Sequence, residues 1–215
     1  MEPSSQTLTK PYLIVTGFGP FGPHEKNPSW DAVQALHGKW DNEQVDLLIQ
    51  EIPVCYDFVL QKVPASLECV QGCHARTKSP LAIVHVGVGS SVKKITIETE
   101  AKNCGYNIPD VNQKCPPNEE CCEKGSQTLK TTLNVEQIVA KINGSEAETG
   151  IEAELSTSAG GYLCEFIFYK SLAASNGTAL FVHVPDYNKP YSVDQMGKAL
   201  QIICETLIPT NTIRD

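Results

Sequence analysis

Apolar runs of strand length alternate with stretches of helical period along most of this chain. Residues 12–16 and 81–88 are nearly unbroken apolar runs that lead into glycine, the pattern of strands buried on both faces. Residues 45–52 and 151–155 read as further strands, and residues 179–184 form an apolar run whose single polar side chain is His183, closed by Pro185. Ile95-Thr96-Ile97-Glu98-Thr99-Glu100 alternates apolar and polar with a period of two, which predicts a half-exposed strand with Glu98 and Glu100 on one face. Asn27-Pro28-Ser29 is a helix start, and Trp30, Val33 and Leu36 share one face of the helix that follows. Residues 56–70 predict a helix kinked or divided at Pro64. Helical period returns over residues 135–142, in the run that begins at Cys164, and over residues 192–207.

Two stretches break the pattern. Gly17-Phe18-Gly19-Pro20-Phe21-Gly22-Pro23 is too rich in glycine and proline for helix or sheet, and residues 104–130 form a Cys/Pro/Asn/Gly-rich surface excursion. Strands alternating with helices predict a mainly parallel or mixed sheet covered on both faces, a single-domain three-layer α/β/α sandwich. Residues 12–207 make up that domain, flanked by a flexible segment at 1–11 and a tail at 208–215. Ligands of such sheets sit beyond the carboxyl ends of the strands. Here those ends carry the 17–22 loop, the 87–91 loop, the turn before Cys164, and His183.

Composition narrows the class of partner. With 17 basic and 25 acidic side chains the formal charge is −8, which disfavours nucleic acid and anionic membrane surfaces. No apolar stretch reaches the roughly 20 residues of a spanning helix, and the first ten residues are polar, so a cytoplasmic location is expected. Nine cysteines are an odd number, expected to be thiols in a reducing compartment. Asn143-Gly144-Ser145 and Asn176-Gly177-Thr178 match the glycosylation sequon only as a short pattern. A homo-oligomer stays open.

The chemistry centres on Ser156-Thr157-Ser158-Ala159-Gly160-Gly161-Tyr162-Leu163-Cys164, a small-residue turn that delivers Cys164 to the start of an apolar helix. Unpaired N–H groups and the helix dipole favour the anionic form of a sulfur placed there. His183 closes the next strand and suits a general base, with Glu98 or Glu100 as the carboxylate that orients it. Buried cysteines and histidines are ordinarily packing residues, so neither settles function alone. Cys115, Cys121 and Cys122, with Cys104 upstream, lack the two separated pairs of a zinc site, and Cys73-His74 has the same defect; no metal is expected. Glycines 17, 19 and 22 match G-x-G-x-x-G, but Pro20 removes an N–H that a phosphate cradle needs. Phe18 and Phe21 offer instead the flat apolar walls of a slot for a small uncharged ring.

Taken in order, Gly17-Phe18-Gly19-Pro20-Phe21-Gly22, Asn27-Pro28-Ser29, Ile97-Glu98, Ile108-Pro109-Asp110, Ser158-Ala159-Gly160-x-Tyr162-x-Cys164 and Phe181-Val182-His183-Val184-Pro185 resemble the pyroglutamyl peptidase I family, also called pyrrolidone carboxyl peptidase. The resemblance implies an α/β/α fold and a cytosolic cysteine peptidase, without metal or organic cofactor, that removes an N-terminal pyroglutamyl residue from peptides through a thioester. It implies Cys164 as nucleophile, His183 as base and then acid, and Glu98 rather than Glu100 as orienting carboxylate. It also implies a substrate pocket formed by Phe18, Phe21, the loop near Val88, Tyr162 and Leu163. Two positions depart from the family pattern: Asn107 stands where bacterial members carry arginine, and Gly161 stands where relatives have a side chain. The alternatives are a catalytically weak or inactive homologue that binds pyroglutamyl peptides, and a relative of nucleoside or sugar phosphorylases, since such sheets host several chemistries.

Overall fold

The computed structural model describes residues 10–22, 25–66 and 79–209. The expectations for residues 1–9, Pro23, Cys69, Cys73-His74, the end of the 56–70 helix and the end of the tail lie outside the described residues.

Among the described residues eight strands and six α-helices follow one another as β1 (Tyr12–Phe18), α1 (Pro28–Lys39), β2 (Asp46–Ile52), α2 (Tyr56–Ser66), β3 (Ala82–Val88), β4 (Ile95–Glu98), β5 (Glu100–Lys102), β6 (Thr128–Lys130), α3 (Val135–Gly144), α4 (Glu146–Thr149), β7 (Ala153–Ser156), α5 (Leu163–Ala174), β8 (Ala179–Val184) and α6 (Val193–Leu207). Six strands form one sheet in the order β2-β1-β3-β8-β4-β7. β2, β1, β3 and β8 run parallel, whereas β4 is antiparallel to β8 and parallel to β7, so the sheet is mixed.

The period of two along the strands sorts their side chains into two cores. Leu13, Val15, Val84, Val86, Val182 and Val184 pack with α1, α3 and α6 on one face. Tyr12, Ile14, Ile83 and Phe181 pack with α2 and α5 on the other. Helices thus cover both faces, giving three layers. α1 begins where its sequence predicts: Asn27 Oδ1 accepts from the N–H of Ser29, with Pro28 at the first helical position. Ser192 and Gln195 cap α6 reciprocally. α2 continues through Pro64 to Ser66.

Two expectations are corrected. The alternation over residues 95–100 is not that of a half-exposed strand, because all four residues of β4 are buried. Ile95 and Ile97 enter the α1/α3/α6 core, and the polar members Thr96 and Glu98 face a cavity on the opposite side rather than bulk water. The chain then leaves the sheet at Thr99, and Glu100 belongs to a separate two-stranded ribbon of β5 and β6. The 104–130 segment is mostly exposed, yet Tyr106, Asp110 and Cys121 are buried and anchor it. Asp110 accepts from the backbone N–H groups of Tyr56, Asn112 and Lys114, which ties the segment to the start of α2. Asn143 of the first sequon holds Ala153 by both its N–H and its carbonyl, so its side chain already serves to dock β7. Among the described residues no helix is long and apolar enough to cross a membrane.

Candidate active site

The antiparallel seam between β4 and β8 brings the polar groups together. Thr96 pairs with His183 and Glu98 with Phe181, so Glu98 lies diagonally across from His183 on the same face, a gap that a long side chain bridges. Glu98 Oε1 is 2.8 Å from His183 Nδ1. Glu100 is carried away on β5 and pairs with Lys130 at 3.0 Å instead. Cys164 borders the same cavity as His183, and its sulfur lies against Gly87, the residue that pairs with His183 between β3 and β8. Burial disfavours the imidazolium, but the neighbouring Cys164 and the hydrogen-bonded Glu98 favour it more strongly and push His183 up to about 10. Glu98 is only 1% exposed, and its Oε2 has no hydrogen-bond partner among the described residues. Cores avoid such a cost, whereas functional centres retain it.

Cys164 is the second residue of α5 and is half-buried. Its position in the first turn leaves its own N–H without an intrahelical acceptor. The approach depends on Gly160 and Gly161, both left-handed with φ of 95° and 66°. Glu165, buried in the first turn of the helix, accepts from the N–H of Gly161 at 2.8 Å and of Lys102 at 3.1 Å. This carboxylate holds the glycine turn against β5. Its role escaped the sequence reading, although a glutamate in the first turn of an apolar helix was the available signal.

Cys164, His183 and Glu98 border a cavity of about 750 Å³, and Phe18, Phe21, Val88, Tyr162 and Leu163 line it as well. Phe18 is rooted in the core, while Phe21 is only partly covered. Their loop is braced from α1: Asn27 Nδ2 donates to the carbonyl of Gly19 and Ser29 Oγ accepts from the N–H of Phe18. Tyr162 stands edge-on to Tyr56 with ring centroids 6.0 Å apart, and its hydroxyl donates to the carbonyl of Pro109. The Ile108-Pro109-Asp110 motif therefore supports one wall of the cavity from behind. Asn107 is exposed and does not line the cavity. Lys93, Lys94, Thr96, Glu154 and Ser156 also line the cavity and add polar groups that the sequence reading did not single out. Cys104 and Cys115 are exposed and Cys121 is buried; among the described residues no three His, Cys, Asp or Glu side chains stand together to hold a metal ion.

Comparison with known proteins gives the family. The chain is 37% identical over 196 residues to pyroglutamyl-peptidase 1 of Homo sapiens, covering 91% of this chain and 89% of that protein. It is 28% identical over 215 residues to pyrrolidone-carboxylate peptidase of Clavibacter michiganensis, covering 94% and 95%. The crystal structure of pyroglutamyl peptidase I from Bacillus amyloliquefaciens matches with a TM-score of 0.78 at 26% identity, over 93% of this chain and 95% of that one. A family model described as pyroglutamyl peptidase covers residues 12–207, and the chain belongs to that family.

Proposed function

We propose that the protein removes an N-terminal pyroglutamyl residue from peptides, with Cys164 as nucleophile, His183 as base and then acid, and Glu98 as the carboxylate that orients His183. The observation that carries this reading is the hydrogen bond from His183 to Glu98 beside Cys164, in one cavity with Phe18, Phe21 and Tyr162. A lactam ring is uncharged, so an aromatic slot holds it, while an ordinary N-terminal ammonium would be buried without a partner and rejected.

Attack by the Cys164 thiolate on the pyroglutamyl carbonyl forms a C–S bond and a tetrahedral oxyanion. The free N–H of Cys164 at the start of α5 is the natural donor to that oxygen. The proton held by His183 passes to the departing amine as the C–N bond breaks, leaving a thioester on Cys164. His183, now neutral, takes a proton from water, which attacks the thioester and releases pyroglutamate. No step requires a metal or organic cofactor. A silent peptide-binding homologue gains no support from a cavity that holds these three groups together. A cytoplasmic setting goes with this chemistry, since a reducing compartment keeps Cys164 free.

Hydrolysis of a pyroglutamyl-linked chromophore tests the reading. The wild type should turn over and Cys164→Ala should not; turnover retained by Cys164→Ala overturns the mechanism.

A further inference from the structure

α5 carries Cys164, but its packing does not by itself aim that residue. The helix is apolar nearly all round: Leu163, Phe166, Ile167, Phe168, Tyr169 and Leu172 are buried on different sides of it. Apolar contact is non-directional, so directional contacts sharpen the rotation of such a helix about its axis. Glu165 supplies one at the first turn, to Lys102 of β5.

Another joins the six-stranded sheet to this helix. His85 of β3 is 2% exposed, and both of its ring nitrogens are occupied. Nδ1 is 2.7 Å from Thr16 Oγ1 on β1, and Nε2 is 2.7 Å from Ser171 Oγ on α5. Ser171 is fully buried and stands seven residues, about two turns, beyond Cys164, so the two lie on nearly the same side of the helix. On β3, Gly87 is two residues beyond His85 and faces the same way. A Cβ on Gly87 would come within 2.9 Å of Cys164 Sγ. One strand face therefore meets α5 twice, His85 at Ser171 and Gly87 at Cys164. Two points on a helix fix its rotation and its height together.

We propose that His85 is a positioning residue for the reaction: braced by Thr16, it holds Ser171 and thereby sets the angle at which α5 presents Cys164 to His183. The inference rests on the role assigned to Cys164 above. Burial keeps His85 neutral, at about 3, so it serves as a fixed donor and acceptor rather than as a charge. His85 is not among the residues that line the cavity, which separates this role from catalysis itself.

Ser171→Ala and Thr16→Val test it, each deleting one of the two bonds. The readouts are kcat and KM on the pyroglutamyl chromophore, the rate of Cys164 alkylation by iodoacetamide followed on the Cys164 peptide, and the thermal midpoint. Ser171→Ala should lower kcat about tenfold with KM within about twofold, in the manner of a misplaced reacting group. Cys164 alkylation should slow in parallel, while alkylation of exposed Cys115 stays the same. Thr16→Val, which keeps the shape of threonine, should show the same pattern more weakly, about threefold in kcat. If Ser171→Ala does not fold, Thr16→Val carries the test alone. A lowered thermal midpoint with kcat and Cys164 alkylation unchanged means a merely structural hydrogen bond and overturns the proposal. A wild type that alkylates at Cys164 but cleaves no pyroglutamyl substrate refutes the assigned function and leaves the alkylation arm to decide this one.

Discussion

A Cβ on Gly87 would stand 2.9 Å from the Sγ of Cys164 and 2.8 Å from Cζ of Phe181. The absence of a side chain on β3 is thus what lets the sulfur descend beside His183, whose strand pairs Gly87 directly with His183. Gly87→Ala must displace the sulfur, the Phe181 ring or the strand. Overpacking of this kind costs about 1–3 kcal/mol, but a shift of the nucleophile by about 1 Å costs on the order of 10²-fold in rate. The expected outcome is a folded protein with a modestly lowered thermal midpoint and kcat/KM reduced about a hundredfold. Near-normal kcat/KM would show that the sulfur has room elsewhere.

Glu98→Gln keeps the size of the side chain and removes its charge. The amide can no longer stabilise the imidazolium, and it can present an N–H to Nδ1 in place of an acceptor. A loss in kcat on the order of 10²-fold or more is expected, with KM little changed, because the substrate slot is untouched. Steady-state kinetics decide it. Glu100→Gln, on its separate ribbon, should change neither parameter.

The pH dependence follows from the same pair. His183 holds its proton to about 10 in the fold, against an ordinary value of 6.5. A raised folded value means that the native state binds this proton more tightly than the unfolded chain does. The stability it contributes is complete below about 6.5 and is lost as pH climbs through about 10. Activity should likewise fall at alkaline pH as the general acid is lost. In Glu98→Gln both the alkaline limb of kcat/KM and the loss of thermal midpoint should move to lower pH. An alkaline limb that stays in place in that variant would assign it to another group.

The limits of the sequence are instructive at particular residues. The strands of the six-stranded sheet, the starts of α1 and α6 and the placement of Cys164 and His183 were legible because each depends on near neighbours: a run of apolar residues, Asn27 before Pro28, a small-residue turn before a helix; β5, β6 and α4 were not read. Glu98 and Glu100 could not be separated by spacing, since the choice rests on the break at Thr99 and on the antiparallel register of β4 with β8. The same register explains why the alternation over residues 95–100 read as solvent exposure: a polar face toward a cavity and a polar face toward water leave the same pattern. His85 was hidden in an apolar run because its partners Thr16 and Ser171 are 69 and 86 residues away. Glu165 was hidden for a related reason, as one of its two N–H donors lies on β5.

Phe18 and Phe21 share a loop but differ in burial, so their substitutions should separate. Phe18 is 4% exposed and belongs to the core, and Phe18→Ala should cost about 3–5 kcal/mol of stability. Phe21 is partly exposed at the cavity. Phe21→Ala should leave the thermal midpoint within a few degrees and raise KM for a pyroglutamyl substrate about tenfold, the loss of about 1–2 kcal/mol of apolar contact with the ring. Thermal unfolding beside KM measurements reads both. A KM unchanged in Phe21→Ala would remove that ring from the slot.

Gly161 sits in a turn that Glu165 tightens. Its φ of 66° lies in the left-handed region, and a Cβ there would meet nothing within 4 Å. Gly161→Ala therefore carries the backbone penalty alone, about 1–2 kcal/mol, which in a chain of this length lowers the thermal midpoint by roughly 2–8 °C. Glu165→Gln acts differently. Its amide keeps one acceptor for the N–H groups of Gly161 and Lys102 and turns a donor toward the other, so one buried N–H faces an N–H. Losing a charge-assisted bond of this kind costs about 1.5–3 kcal/mol. Because the turn leads straight into Cys164, Glu165→Gln should also lower kcat, whereas Gly161→Ala should leave kcat within about threefold, the energetic equivalent of about half a kcal/mol. Glu165→Gln with full kcat and a lowered thermal midpoint would mean that the carboxylate secures β5 to the helix without shaping the approach to the sulfur.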